Sequence, residues 1–135
     1  MEQSTIEQQA VATLDAYLDR LLADYSTELN ESANKRLAFF AFLFGGVSGL
    51  SLKEGLTPEQ AHSVMLELLR NTLAISPMDS IRMAQLGINA VAGNTPWSYA
   101  AHQGLDEFFA WQAAPEAFSA RRLRLVLDRV PHAGV

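Results

Sequence analysis

Two carboxylate and histidine pairs have the residue types and spacing that could support chemistry. Glu59 and His62 stand three residues apart, and His102 and Asp106 stand four apart. On a helix, either spacing places both side chains on one face, where they could bind a metal ion or exchange a proton. The question is whether the rest of the sequence completes either site.

A carboxylate-bridged metal site would need more ligands than Glu59 and His62 supply. A di-iron bundle requires a second Glu-x-x-His pair and two further inward-facing carboxylates, and the sequence has no second copy of this motif. His62 also lies in helical phase with Leu66 and Leu69, which is typical of a partly buried structural histidine. We therefore predict no metal site and no cofactor.

Catalysis by His102 and Asp106 would need a nucleophile, and no residue in the sequence is evidently placed beside them. The segment Gly46-Val47-Ser48-Gly49 does not form a nucleophile elbow, because Leu50 occupies the position of the second required glycine. These glycines also lack the Lys-Ser or Lys-Thr of a phosphate-binding loop and suggest a flexible connection between helices. We predict that the protein is not an enzyme.

Composition restricts the protein to a few broad classes. Its 135 residues are 49% hydrophobic and 19% charged, which is typical of one globular domain and excludes a disordered chain. Cysteine is absent, which excludes disulfides, thiolate zinc sites and cysteine nucleophiles. The N-terminal segment is acidic and polar where a secretory signal would be basic and then apolar, so we predict a cytoplasmic protein.

The net charge of −5 is distributed unevenly along the chain. Acidic side chains dominate residues 1–31, whereas arginines dominate the segment from Glu116 onward. This asymmetry predicts either that the end helices pack together or that each end meets a different partner. The acidic balance also opposes general affinity for nucleic acid, so we predict no nucleic-acid partner.

Hydrophobic spacing predicts an all-α fold. Ser4 and Glu7 have the form of a capping box, and the following helix should carry an apolar seam of Val11, Leu14, Leu18, Leu21 and Tyr25. A second helix, at about 31–45, is apolar on every face and should be the central element. The paired glycines Gly45 and Gly46 should end it.

Prolines recur at a regular interval through the rest of the chain. Pro58, Pro77, Pro96 and Pro115 stand nineteen residues apart, and the first three follow a Ser or Thr, which is a favourable helix start. No other positions share this period, which favours four successive helices over a helical repeat. We predict a compact antiparallel bundle of five to six helices, with a single all-α domain at 1–130 and a short mobile tail at 131–135.

The last three helices should differ in how they are buried. The fourth should be buried on two sides, because it carries two apolar stripes, one of Ile81, Ala84, Ile88 and Val91 and another of Met83, Leu86 and Ala90. The fifth should bury a face that begins at Trp97, and the sixth a face of Ala120, Leu123, Val126, Leu127 and Val130.

Large apolar residues among arginines predict a binding surface near the C-terminal end. Phe118 and Leu125 lie among arginines on the far side of the sixth helix, and aromatic and arginine side chains are enriched at interface hot spots. Acids of the first helix and polar positions of the fifth complete the predicted partner-binding set: Asp15, Asp19, Asp24, Tyr99, Asp106, Phe109, Phe118, Arg121, Arg122, Arg124 and Leu125.

A small acidic helical domain without a catalytic constellation is most economically a protein-binding module. Bacterial immunity-type inhibitors, secretion chaperones and anti-defence proteins all fit this description. We favour an immunity-type inhibitor that binds and neutralises a toxin or effector, because an acidic surface could cover a basic active site.

Hypotheses from two other classes remain open. A helical bundle with a cavity lined by aromatic side chains would bind a small apolar ligand or act as an enzyme; these side chains are Phe39, Phe40, Phe42, Phe44, Trp97 and Trp111. A self-associating protein would instead pair the seam of the first helix with a second copy, as a homodimer. A membrane span over residues 37–52 is disfavoured, because this segment is short and diluted by glycine and serine.

Overall fold

A computed structural model of the protein describes residues 5–93, 97–117 and 120–130. Within these ranges the chain forms six α-helices, one π-helical turn and one 3-10 helix, and no strand. The α-helices are α1 (Thr5–Leu29), α2 (Ala33–Glu54), α3 (Pro58–Glu67), α4 (Pro77–Val91), α5 (Ser98–Ala113) and α6 (Arg121–Asp128), with the π-helical turn at Leu68–Thr72 and the 3-10 helix at Pro115–Ala117. The predicted all-α bundle is confirmed. Ser4, the Thr95-Pro96 helix start and the tail at 131–135 lie outside the described residues.

The prediction that α2 ends at Gly45 and Gly46 is wrong. The helix continues to Glu54, and the left-handed residue that follows it is Gly55, with φ 74°. Gly45, Gly46 and Gly49 are buried inside the helix, so the segment is not a flexible connection. Packing against neighbouring helices outweighs the low intrinsic helix propensity of glycine here.

Two glycines, Gly45 in α2 and Gly104 in α5, allow the backbones of these helices to come into direct contact where they cross. A Cβ atom on Gly45 would overlap the carbonyl oxygen of Ala101 in α5, and a Cβ atom on Gly104 would overlap the carbonyl oxygen of Phe42 in α2. Each helix therefore presents a glycine to the backbone of the other. This reciprocal contact explains why the central helix contains glycines that it would otherwise avoid.

The apolar seam predicted for α1 is buried within the domain. Leu14, Leu18 and Leu21 are each fully buried, whereas Val11 and Tyr25 are half-buried at its edges. The helix packs against α2 and α3. Because the seam is already covered by the same chain, the structure does not support a homodimer formed through it.

The prediction that α4 is buried on two sides is wrong for Ile81, Ile88 and Val91, whereas Met83 and Leu86 of the other stripe are partly buried against the core. The fully buried positions of α4 are the small residues Ser80, Ala84, Gly87 and Ala90. A Cβ atom on Gly87 would lie 2.6 Å from the Phe44 ring, so only a narrow face of α4 can approach α2. As a consequence, Ile81, Ile88 and Val91 are left exposed to 55%, 37% and 37%.

Two of the predicted helix starts are confirmed in atomic detail. Thr57 Oγ1 accepts from the Gln60 amide at 3.1 Å, and Gln60 Oε1 accepts from the Thr57 amide at 2.9 Å. Ser76 Oγ accepts from the Asp79 amide at 3.3 Å. Each cap satisfies amides that the first helical turn would leave unpaired, and Pro58 and Pro77 follow at the first helical position.

The central helix Ala33–Glu54 is long and apolar enough, by length and composition, to cross a membrane. The core helix of a globular domain meets the same criteria. Here α1, α3, α4, α5 and α6 all pack against α2, so most of its apolar side chains are covered by the rest of the fold, with Leu52 near its end as an exception. The predicted buried face of α6 is also confirmed, with Leu123, Val126 and Leu127 in the core.

Candidate protein-binding surfaces

The two carboxylate and histidine pairs lie at or near the protein surface. Glu59 is exposed and His62 is half-buried in α3, whereas His102 and Asp106 are both exposed on α5. Within the described residues, no group of three or more His, Asp or Glu side chains is arranged to hold a metal ion. Both pairs are therefore part of the protein surface or close to it.

The acidic and basic ends of the chain meet between α1 and α6. Arg124 donates from both terminal guanidinium nitrogens to the Glu28 carboxylate, each at 2.6 Å, and Lys35 donates to the same carboxylate at 2.7 Å. Tyr25 donates its hydroxyl to the Ala120 carbonyl at 3.0 Å. Of the two possibilities that the charge asymmetry left open, the end helices pack together at this point.

The Glu28 cluster should make the stability of the protein depend on acid pH. Hydrogen bonds from Arg124 and then Lys35 lower the pKa of Glu28 to about 2. A lowered folded-state pKa stabilises the fold above the unfolded value, and this contribution disappears as pH falls toward the folded value. Glu28→Gln should therefore cost about 1 kcal/mol at pH 7 and progressively less between about pH 5 and pH 2.

Urea denaturation of both proteins over this pH range checks the prediction. Glu31 is exposed at the same end of the domain, so Glu31→Gln serves as the control and should leave the profile close to that of the wild type. A Glu28→Gln cost that stays constant down to pH 2 would show that the carboxylate charge contributes nothing.

A second ion pair is mostly buried and joins α5 to α6. The Glu107 side chain is 2% exposed and accepts from the Arg122 backbone amide at 3.2 Å and from its guanidinium at 3.0 Å. Burial, followed by the nearby Glu107 carboxylate, raises the pKa of Tyr17 well above its ordinary value. Sequence reasoning missed Glu107, although its spacing from the buried Ala100 and Gly104 places it on the core face of α5.

Several residues of the predicted partner-binding set are already engaged within the chain. Arg122 and Arg124 form the ion pairs just described, Asp15 accepts from the Thr72 hydroxyl, and the Arg129 guanidinium lies 4.1 Å from the centre of the Tyr99 ring. These contacts bring α1, α5 and α6 together as a fold. They leave less of each side chain for a partner.

The other members of the set are spread over three helices. Phe118 lies outside the described residues. The exposed members are Asp19 and Asp24 on α1, Asp106 and Phe109 on α5, and Arg121 and Leu125 on α6. Asp24 also forms an ion pair with Arg20 at 3.6 Å. A role for these residues in partner binding stays a prediction.

A groove of about 560 Å³ lies where α2, α3, α4 and α5 meet. Its lining is mostly apolar and includes Phe44, Leu52, Leu56, Ala61, Ile88, Val91, His102 and Leu105. Leu52 is 76% exposed at its edge. Sequence reasoning missed this groove because it ended α2 before Leu52 and assigned Ile88 and Val91 to the core.

The six aromatics proposed to share one cavity are distributed over different parts of the molecule. Phe44 lines the groove, Trp97 lines a separate depression of about 360 Å³, and Phe39 and Phe40 line a third of about 200 Å³. Phe42 is fully buried in the core, and Trp111 packs 5.9 Å from Phe108. The prediction of one cavity shared by all six aromatics is therefore wrong, and binding of a small apolar ligand stays a prediction.

Comparison with known proteins adds one finding to this geometry. The family model described as immunity protein 48 (Imm48) matches residues 6–127. No curated protein sequence and no solved structure matches the chain. The family match extends from the first turn of α1 to the last turn of α6, and thus covers the whole helical bundle. The chain belongs to the immunity protein 48 family.

Proposed function

We propose that this immunity protein neutralises a toxin by forming a stoichiometric, non-covalent complex with it in the bacterial cytoplasm. The observation that carries this function is the family match over residues 6–127. An inhibitor of this kind needs a rigid surface and no chemistry of its own. The packed bundle, in which the ion pair of Arg122 with the buried Glu107 joins α5 to α6, supplies such a surface.

Charge supports a basic toxin as the partner. The chain has a net charge of −5, and Asp19, Glu31 and Asp106 are among its exposed acids. Complementary charge accelerates encounter and selects against partners of the same sign. A toxin that acts on an anionic substrate would present the positive surface that this charge attracts.

The test uses the toxin domain encoded by the reading frame adjacent to the gene for this chain. We expect a one-to-one complex in size-exclusion chromatography and rescue of cells that express the toxin. The association rate constant should fall by about tenfold from low salt to about 0.5 M salt, because exposed charges are then screened. Failure of the purified proteins to associate would contradict the proposal.

Titration separates binding from catalysis. A stoichiometric inhibitor should abolish toxin activity only when its concentration reaches that of the toxin. An immunity enzyme that modified the toxin or its target would act at a small fraction of this concentration. Complete protection at about one molecule per hundred toxin molecules would overturn the non-enzymatic mechanism.

A further inference from the structure

The groove between α2, α3, α4 and α5 contains apolar side chains that the fold does not bury. Leu52 is 76% exposed, and Ile88 and Val91 are each 37% exposed. Contiguous apolar surface on a small domain is typical of an interaction site, whereas single exposed apolar residues are common anywhere. These three side chains come from two helices and line one concavity.

The groove has the shape of a site that receives side chains. Phe44 and Ala61 are both buried residues that contribute to its lining. Its volume of about 560 Å³ is in the range of ordinary binding pockets. Interface hot spots are concentrated where large apolar side chains enter such desolvated pockets.

Acidic side chains stand beside this apolar lining. Glu59 directly follows Pro58 of the lining, and Asp106 stands one helical turn after His102 of the lining, on the same side of α5. Both acids are exposed. The nearby Lys53 donates to the Gln112 side chain at 3.1 Å. The groove thus combines an apolar interior with two acids close to its edge, which we call the acidic rim (Glu59 and Asp106).

We propose that this groove anchors the toxin, and that its occupant is a toxin segment with apolar side chains next to lysine or arginine. This inference rests on the proposed function and adds the binding site to it. The apolar side chains would fill the groove, and the neighbouring cations would meet the acidic rim. A second copy of this chain fits less well, because two acidic rims would then face each other.

The first experiment compares two exposed leucines on different surfaces. Leu52 lines the groove, whereas Leu125, which the sequence analysis assigned to partner binding, belongs to the exposed side of α6 and is 53% exposed. The two variants therefore set the groove against the surface predicted from the sequence. Leu52→Glu should raise the dissociation constant of the toxin complex at least about tenfold, and Leu125→Glu should change it less than about threefold. Both variants add the same charge, and both remove a side chain that the core does not require.

Binding is measured by calorimetry with the purified toxin domain, and folding of each variant by circular dichroism. Weakened binding by folded Leu52→Glu alone supports the groove. The wild-type protein must bind the toxin domain for the comparison to apply. If Leu52→Glu then binds equally well, or if both variants weaken binding to the same extent, the groove is not the toxin-binding site, although the proposed function still holds. Failure of the wild-type protein to bind overturns both. A wild-type dimer that Leu52→Glu dissociates would identify a second copy as the occupant and overturn the toxin site.

A second experiment compares two pairs of acids. Glu59→Gln with Asp106→Asn removes both charges of the acidic rim, and Asp19→Asn with Asp24→Asn removes two exposed charges from α1 that the sequence analysis assigned to partner binding. The rim variant should slow association with the toxin domain by about fivefold at low salt and lose much of the salt dependence. If the α1 variant instead slows association more than the rim variant does, the basic segment of the toxin binds α1, and the proposed site in the groove is contradicted.

Discussion

Gly45→Ala should destabilise the protein by about 3 kcal/mol or more, because the new Cβ atom would overlap the Ala101 carbonyl oxygen at the crossing of α2 and α5. A flexible side chain can rotate away from such a clash, but a helix backbone cannot. The two helices would have to separate, and the contacts along the crossing would loosen together. Denaturation in urea, followed by far-ultraviolet circular dichroism, measures the change in the free energy of unfolding.

Gly49→Ala is the matched control, since it makes the same change one turn later on the same helix. There the nearest atom to the added methyl group would be Phe108 Cδ2 at 3.4 Å, which is an ordinary van der Waals contact. Replacing a helical glycine also stabilises the helix by up to about 1 kcal/mol. We expect Gly49→Ala to be neutral or slightly stabilising. Similar losses in both variants would show that the crossing is less tight than the structure indicates.

The course of α2 shows why sequence predicts this fold only in part. Its apolar character on every face identifies it as the central helix, and α1, α4 and α5 do surround it. The sequence predicts an end of α2 that is too early, because Gly45 and Gly46 have low helix propensity when considered alone. The feature that keeps them helical is the close approach of α5, and residues 101–108 are too distant in sequence for local propensity to show this contact.

The groove could not be predicted for a related reason. Periodicity identifies Ile88 and Val91 as apolar residues of one helical stripe, which usually faces the core. Only the three-dimensional packing shows that Gly87 against Phe44 brings the small-residue face inward and leaves these side chains at the edge. Where the smallest residues of a helix face the core, its larger residues are available for a partner.

The charges of the chain divide into two groups with different uses. Glu28 and Arg124 join α1 to α6, and Glu107 and Arg122 join α5 to α6, so these ion pairs maintain the fold. The exposed acids beside the groove have no such partner among the ion pairs observed in the described part of the chain. Sequence position alone cannot separate the two groups, because Glu107, which maintains the fold, directly follows Asp106, which is exposed.

Arg122→Met should destabilise the protein by about 2 to 3 kcal/mol, because it leaves the Glu107 carboxylate charged and without its cationic partner. The Glu107 side chain is 2% exposed, whereas that of Arg122 is 41% exposed. Breaking a fully buried pair usually costs about 3 to 5 kcal/mol. The expected cost is lower here because the Arg122 backbone amide still donates to Glu107 and because solvent reaches the arginine. Thermal and urea denaturation at pH 7 give the change in the free energy of unfolding.

Two further variants separate the charge from the bulk of the arginine. Arg121 is exposed beside Arg122, so Arg121→Met should change the free energy of unfolding by no more than about 0.5 kcal/mol. Adding Glu107→Gln to Arg122→Met removes the stranded charge, and the double variant should be at least about 1 kcal/mol more stable than the sum of the single effects predicts. Strict additivity would mean that the two side chains do not interact in solution. The attachment of α6 to α5 would then depend on the apolar face of α6, which contains Leu123, Val126 and Leu127. The ion pair of Glu107 and Arg122 would not contribute to it.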